Sequence, residues 1–231
     1  MTSKKKRTDA SIVVMIGAGS KLPALIRAAS AKRSPFHISL VVSHRSFSPG
    51  VGLAISQAVH FKLPDYRSRI FGGSPRARSD YMKRLGWFIS QREYKPSLLV
   101  FAGWDLVVDE NFFNFFKVDF GEGYAAINLH PSLLVVSGEK NAIILPDRTK
   151  SPIIKGEQQE VLETVLRKKL TYFGPSVHFM VPSKYDTGQV IGREFIKVDP
   201  HDTVELLRKK LMPVEDRILV ESVNEVIMKY S

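Results

Sequence analysis

The sequence contains no cysteine, and this absence excludes several chemistries at once. Disulfide scaffolds, thiolate nucleophiles and cysteine-ligated zinc are all ruled out. A chain without cysteine fits a reducing compartment, so we expect a cytoplasmic protein. Any catalysis must therefore use histidine, carboxylates, amides and hydroxyls.

Long apolar runs are also missing. No run approaches the ~20 residues that a transmembrane helix needs, and no apolar segment follows the basic start of the chain, Lys4 to Arg7. We expect neither a membrane partner nor secretion. The 231 residues, 44% of them hydrophobic, suit a disordered basic tail over 1–10 and one domain over 11–231. A nuclear-localisation signal is the alternative interpretation of the tail.

Acidic residues are scarce in the first part of the chain. Residues 1–100 hold 18 Lys and Arg against 4 Asp and Glu, whereas residues 101–231 hold 16 against 19, so the net charge of +11 comes from the first hundred residues. This excess indicates an anionic ligand, and Arg78 is a candidate contact for it. A nucleic-acid binder is the alternative, but no basic motif interleaved with aromatic residues supports it, and we expect no nucleic-acid partner.

Apolar runs alternate with segments of helical periodicity, a pattern typical of an α/β fold with a doubly wound, mostly parallel sheet and helices on both faces. Strands are predicted at 11–16, 37–42, 97–102 and 124–129, and helices at 22–31, 51–59, 80–94 and 110–116. A long loop is predicted over 135–155. A helix over 157–170, extended runs over 175–181 and 189–198, and a final helix from about 202 to 228, interrupted at Pro213, complete the pattern.

A glycine-rich turn follows the first predicted strand and contains Gly17, Gly19, Ser20 and Lys21. Glycines at such a turn let backbone N–H groups approach an anion at an electropositive helix start. The spacing matches neither the Walker loop nor the full dinucleotide fingerprint. A tight turn without a ligand is the alternative, and Lys21 favours phosphate.

Asn128 and His130 lie at the end of the fourth predicted strand. Residues two apart on a strand face the same side, so we expect the amide and the imidazole to project together. The carboxyl edge of such a sheet is where open α/β folds bind ligands. The pair combines a neutral donor with a group that exchanges protons near neutral pH. A hydrogen-bonded structural histidine is the alternative.

Other polar residues have structural interpretations when taken alone. Asp186 lies in a turn between two extended runs, where Asp is common. His178 lies within an apolar run and is interpreted as a hydrogen-bonded core residue. The remaining histidines show no metal-ligand spacing, so we expect no metal site; they are His37, His44, His60 and His201.

Taken in order, these segments resemble the folate-dependent formyltransferases. The matching pieces cover residues 12–22, 102–104, 127–133, 174–179, 186–188 and 213–220, in the family's order. The Asn-Leu-His-Pro-Ser segment, followed by Ser-Val-His-Phe and Asp-Thr-Gly, is the specific part of the resemblance. The resemblance implies a formyltransferase fold with a Rossmann-like, phosphate-binding half over 11–125 and a catalytic, folate-binding half over 126–231.

The resemblance also implies a reaction. A formyl group would pass from 10-formyltetrahydrofolate, the co-substrate, to the amine of glycinamide ribonucleotide in purine synthesis. Asn128 and His130 would polarise the formyl oxygen, and Asp186 would orient His130 and a proton-relaying water. The partners would be these small molecules alone, with the protein a monomer or a homodimer.

Further binding residues follow from the same resemblance. The phosphate would bind at Gly17, Gly19, Ser20 and Lys21. Glu215 would contact the glycinamide or ribose end of the nucleotide. The pterin would be bordered by Ala102, Trp104, Leu106 and Val107.

The sequence departs from the family pattern at several places. Lys21 stands where the family carries Asn, and about a dozen extra residues precede Gly174. The stretch from His178 to Asp186 is one residue longer than in the family, which raises the question of whether Asp186 reaches His130. Alternatives on the same scaffold are a sugar-nucleotide formyltransferase, a formyltetrahydrofolate hydrolase, and a non-catalytic folate- or nucleotide-binding descendant.

Overall fold

The computed structural model describes residues 9–45, 48–56, 61–62, 75–118, 123–140, 142–182, 184 and 186–230. Most of the predicted tail over 1–10 therefore lies outside the described residues. The chain divides into two compact units, the first holding residues 1–126 and 223–231 and the second holding residues 127–222.

Parallel strands form the sheet of the first unit. Strand β1 (Ala10–Ile16) pairs with β2 (Phe36–Ser43) on one side and β4 (Leu98–Ala102) on the other, and β2 pairs with the short β3 (Phe61–Lys62). Every residue of β4 and all but one of β1 are buried. Burial on both faces explains why each strand has an uninterrupted apolar sequence. Ala10, assigned to the tail from the sequence, is in fact the first residue of β1.

The helices of the first unit follow the predicted periodicity with shifted ends. They are α1 (Leu22–Ala29), α2 (Pro49–Ser56), α3 (Pro75–Ile89) and α4 (Glu110–Phe113). Helix α3 begins five residues earlier than predicted, because a proline suits the first turn of a helix. Asp109 caps α4 by accepting a hydrogen bond from the Phe112 N–H at 3.3 Å. The last residues of the helix predicted over 51–59 lie outside the described residues.

The second unit contains mainly antiparallel pairs. Strand β9 pairs in antiparallel fashion with β5 and with β10. The strands are β5 (Ala126–His130), β6 (Ile143–Ile144), β7 (Lys150–Ser151), β8 (Tyr172–Phe173), β9 (Ser176–Phe179), β10 (Val190–Arg193) and β11 (Ile196–Lys197).

The sequence predicts a loop over 135–155, and the structure shows that this is wrong for the middle of the segment. Strands β6 and β7 form a small antiparallel hairpin there, with Ile143 opposite Ser151. Ile143 and Leu145 are buried against Leu133. Two-residue strands are too short to produce a periodic pattern, and their burial anchors the segment.

The predicted interruption of the last helix at Pro213 is also wrong. Helix α5 (Gln158–Arg167) packs its apolar residues with Leu207 and Leu211 of helix α6 (Val204–Tyr230). Helix α6 continues through Pro213, and Leu219 beyond it is again fully buried. An interior proline costs about 3 kcal/mol through the lost hydrogen bond and ring clash, so burial on both sides of it offsets this cost.

Candidate active site

The antiparallel register of β5 and β9 brings Asn128, His130 and His178 close together in the second unit, and Asp186, between β9 and β10, joins them. Asn128 lies opposite His178, and the Asn128 Nδ2 is 3.3 Å from the His178 Nε2. Asp186 Oδ1 lies 3.5 Å from His130 Nδ1 and 3.7 Å from His178 Nε2. The additional residue between His178 and Asp186 therefore does not keep Asp186 away from His130.

The hydrogen-bond partners of His178 fix its tautomer and orient Asn128. Nδ1 of His178 lies 2.8 Å from the Phe179 carbonyl oxygen, so Nδ1–H is the donor and Nε2 carries a lone pair. That lone pair accepts a hydrogen bond from the Asn128 amide. Burial lowers the pKa of His178, which keeps the ring neutral near pH 7. A neutral, fixed His178 thus holds the amide of Asn128 in one orientation.

His130 is contacted at both ring nitrogens. Its Nε2 lies 3.2 Å from the backbone carbonyl oxygen of Ile154, so Nε2–H donates there. Nδ1 is then the atom that can gain or lose a proton, and it faces Asp186. Burial lowers the pKa of His130, and the Asp186 carboxylate opposes that shift. The arrangement suits proton transfer at Nδ1, with Asp186 placed to stabilise the imidazolium.

Sequence reasoning missed the place of His178 in this cluster. The residue is buried and hydrogen-bonded, as interpreted, but its partner is Asn128 and its neighbour is Asp186. The signal that could have found it is the pairing of the Asn-Leu-His strand with the later Ser-Val-His strand. Ile154 was missed as well, because a backbone carbonyl leaves no trace in a sequence pattern.

The glycine-rich turn connects β1 to α1 in the first unit. The Gly17 N–H donates to the Gly103 carbonyl at 3.0 Å, and the Leu22 N–H to the Gly19 carbonyl at 3.1 Å. Gly19 has φ +84°, and a Cβ there would lie 2.5 Å from the Gly50 Cα. Lys21 is only 5% exposed, whereas Ser20 is exposed. The turn is thus closely packed on one side and open at Ser20.

Glu215 is almost completely buried in α6, at 2% exposure. The Nε2 of Gln158, the first residue of α5, lies 3.2 Å and 3.4 Å from the two oxygens of its carboxylate. The side-chain amide of Gln158 thus fixes the Glu215 carboxylate inside the second unit.

The residues expected to border the pterin lie at the end of β4 and directly after it, in the first unit. Ala102 is buried, Trp104 and Leu106 are half-buried, and Val107 is 50% exposed. Arg78, the candidate anion contact, is half-buried in the first turn of α3. Among the described residues, no three His, Asp or Glu side chains are grouped so as to hold a metal ion. No helix in the described part of the chain is both long and apolar enough to cross a membrane.

An α/β fold with an Asn, His and Asp cluster at a strand end is the arrangement of a formyl transferase. Residues 10–223 match the formyl transferase family model, and the chain belongs to that family. The α/β formyltransferase fold expected from the sequence is thereby confirmed.

Individual proteins similar to this chain include phosphoribosylglycinamide formyltransferases. A phosphoribosylglycinamide formyltransferase of Schizosaccharomyces pombe is 28% identical over 225 residues, 94% of this chain and 97% of that protein. The chloroplastic phosphoribosylglycinamide formyltransferase of Arabidopsis thaliana is 28% identical over 165 residues, 67% of this chain but only 51% of that protein, about half its length. The crystal structure of glycinamide ribonucleotide transformylase 1 from Symbiobacterium toebii has a similar fold, with a TM-score of 0.75 at 22% identity, covering 99% of this chain and 92% of that chain.

Proposed function

We propose that the protein transfers a formyl group from 10-formyltetrahydrofolate to the amine of glycinamide ribonucleotide. The observation that carries this proposal is the approach of Asn128, His130 and Asp186 to one another in the second unit. The similarity to phosphoribosylglycinamide formyltransferases over 94% of the chain supports the choice of acceptor.

Asn128 supplies one donor for the developing oxyanion, and His130 supplies a second through Nδ1–H once that nitrogen has taken up a proton, because its Nε2–H is bound to the Ile154 carbonyl. The substrate amine attacks the formyl carbon, its C–N bond forms, and the carbonyl oxygen gains negative charge in a tetrahedral adduct. One N–H of the Asn128 amide is bound to His178, which leaves the second N–H for that oxygen. Orienting such a donor in advance lowers the barrier because no reorganisation is needed during the reaction.

His130 and Asp186 transfer the proton that the attacking amine loses. The attacking amine must lose a proton, and the folate nitrogen must gain one as its bond to the formyl carbon breaks. Nδ1 of His130, together with a water held by Asp186, relays that proton from one nitrogen to the other. Nε2 is already bound to the Ile154 carbonyl, so the exchange is confined to Nδ1. No covalent enzyme intermediate is required.

The remaining roles concern binding. Gly17, Gly19, Ser20 and Lys21 bind the nucleotide phosphate, in keeping with the electropositive start of α1. Glu215 contacts the glycinamide or ribose end. The segment with Ala102, Trp104, Leu106 and Val107 borders the pterin, and Arg78 adds positive charge for the anionic substrates. The reaction takes place in the cytoplasm, and the protein is a monomer or a homodimer. Imaging of the tagged protein and light scattering test these last two statements.

The experiment is a turnover assay with the purified, folded protein. We expect tetrahydrofolate to form from 10-formyltetrahydrofolate only when glycinamide ribonucleotide is added, in a one-to-one ratio with formylated nucleotide. His130→Ala should abolish the reaction. Folded wild-type protein without nucleotide-dependent turnover would overturn the proposal. Formate release in the absence of nucleotide would instead identify a hydrolase.

A further inference from the structure

A second polar cluster lies in the first unit, at the carboxyl ends of β1, β2 and β4. Arg45 follows β2, and its Nη2 lies 2.5 Å from the Asp105 Oδ2. The other carboxylate oxygen of Asp105 lies 2.5 Å from the His44 Nε2. Asp105 follows β4, so one carboxylate joins the ends of two strands.

This cluster is built against the glycine-rich turn. A methyl group placed on the Gly17 Cα would lie 3.3 Å from the His44 Nε2 and 3.7 Å from the Arg45 Nε. Ser43 ties the two segments together, since its Oγ accepts a hydrogen bond from the Arg45 N–H at 3.1 Å and donates to the Gly17 carbonyl at 3.3 Å. The guanidinium of Arg45 therefore lies directly beside the turn.

The members of the cluster differ in exposure and charge. The side chain of His44 is only 6% exposed, whereas that of Arg45 is 52% exposed. The His44 ring meets Trp104 edge-on, with ring centroids 4.9 Å apart. Burial lowers the pKa of His44, so the ring is neutral near pH 7 and Arg45 is the cation of the cluster.

A guanidinium has five N–H donors in a fixed fork, which suits a phosphate group. Asp105 accepts a hydrogen bond from Nη2 of Arg45, and the Arg45 side chain is 52% exposed, so an anion can reach its guanidinium from solvent. A carboxylate behind an arginine restricts its rotamers, and less entropy is then lost when an anion binds. Lys21, which the sequence favoured for this task, is buried, whereas Arg45 is accessible.

We propose that Arg45 is a further substrate-binding residue, whose guanidinium binds the phosphate monoester of the ribonucleotide at the Gly17 to Lys21 turn, with Asp105 as its positioning residue. The nature of the nucleotide rests on the proposed function, but phosphate binding does not. The two can therefore be tested separately.

The test uses Trp104 as a reporter of binding. The chain contains two tryptophans, and Trp87 is 58% exposed on α3, so Trp87→Phe leaves Trp104 as the single emitter. Ribose 5-phosphate is titrated into this parent protein while Trp104 emission is followed, and titration calorimetry repeats the measurement without an optical probe. Ribose without phosphate is the ligand control.

Arg45→Gln in this background should weaken ribose 5-phosphate binding by about tenfold or more, the loss of a charge-assisted hydrogen bond worth roughly 1.4 kcal/mol. Arg45→Lys should retain part of the affinity, and Asp105→Asn should weaken binding less than Arg45→Gln. Arg92→Gln removes an exposed arginine of the same unit and should leave binding unchanged. Thermal unfolding of each variant establishes that it is folded. If Arg45→Gln does not fold, the affinity of Arg45→Lys is compared with that of the parent protein instead.

Two outcomes would overturn the proposal: no binding of ribose 5-phosphate by the parent protein, or equal affinity in the parent and the folded Arg45 variants. In turnover assays, Arg45→Gln should raise the KM for the nucleotide and leave the KM for 10-formyltetrahydrofolate unchanged. A protein that binds ribose 5-phosphate through Arg45 but lacks formyl transfer would refute the proposed function and retain this assignment.

Discussion

The Asp186 Oδ1 lies 3.5 Å from the His130 Nδ1, longer than an ordinary N–H···O hydrogen bond. The contact is therefore electrostatic in the resting protein, with Nε2 of the same ring bound to the Ile154 carbonyl. Asp186 affects His130 mainly by stabilising its charged form. A proton that arrives at Nδ1 during a reaction is thus stabilised without being held permanently.

Asp186→Asn tests this relationship through the pH dependence of turnover. Burial lowers the pKa of His130 and Asp186 partly offsets that, so removal of the carboxylate should lower the pKa of His130 further. If neutral His130 accepts the proton, the acidic limb of the kcat/KM profile moves to lower pH. The plateau value of kcat should fall by about 10²–10⁴, the usual contribution of general acid–base catalysis.

Asp80→Asn is the matched control, since Asp80 is an exposed carboxylate on α3. It should leave both the plateau and the acidic limb unchanged. An acidic limb that stays in place or moves to higher pH in Asp186→Asn would contradict the electrostatic role of Asp186.

Asn128→Ala tests the proposed oxyanion donor. Because the amide acts on charge that develops only in the transition state, kcat should fall by about 10²–10³ with little change in either KM. Asn111→Ala, which removes an exposed amide bound to the Ser79 hydroxyl, is the control. An equal loss in both variants, or a change confined to KM, would argue against the role of Asn128.

The sequence predicted the part of the candidate site that depends on local periodicity. The alternation along β5 placed Asn128 and His130 on one side, and the uninterrupted apolar runs identified β1 and β4 as buried strands. These predictions succeeded because strand geometry is a property of neighbouring residues.

Contacts between distant residues could not be predicted in the same way. His178 orients Asn128 across an antiparallel ladder that joins residues 50 positions apart. Helix α6 continues through Pro213 because Leu211 and Leu219 are buried on either side of it. The free energy gained from this burial outweighs the cost of a proline inside a helix. The pairing of Arg45 with Asp105 joins the ends of two strands and follows no sequence spacing.

Glu139→Gln should destabilise the protein in a pH-dependent way. Glu139 accepts hydrogen bonds from Arg193 and from the Val136 and Ile144 N–H groups, and these contacts, led by Arg193, lower its pKa to about 2. Their stabilisation is therefore fully present above the pKa of the unfolded carboxyl and is lost as the pH falls toward 2. Near pH 7 the variant should lose about 1.5–3 kcal/mol of unfolding free energy.

Denaturant unfolding at several pH values measures this difference. The gap between wild type and Glu139→Gln should narrow below about pH 4, because a protonated glutamate resembles glutamine. Glu225→Gln, a substitution at an exposed position of α6, should show no such gap. A gap that is constant with pH would show that Glu139 acts through shape and not through its charge.

Gly19→Ala and Gly123→Ala form a matched pair that separates backbone strain from steric overlap in the glycine-rich turn. The two glycines have nearly equal φ angles, +84° and +81°, so both substitutions should cost about 1–2 kcal/mol of backbone strain. Only Gly19 would also place its methyl group 2.5 Å from the Gly50 Cα, whereas nothing lies within 4 Å at Gly123. Gly19→Ala should therefore lower the free energy of unfolding by about 1–3 kcal/mol more than Gly123→Ala does. Denaturant unfolding measures both values, and equal losses would mean that the turn yields to the added methyl group and that close packing does not fix its shape.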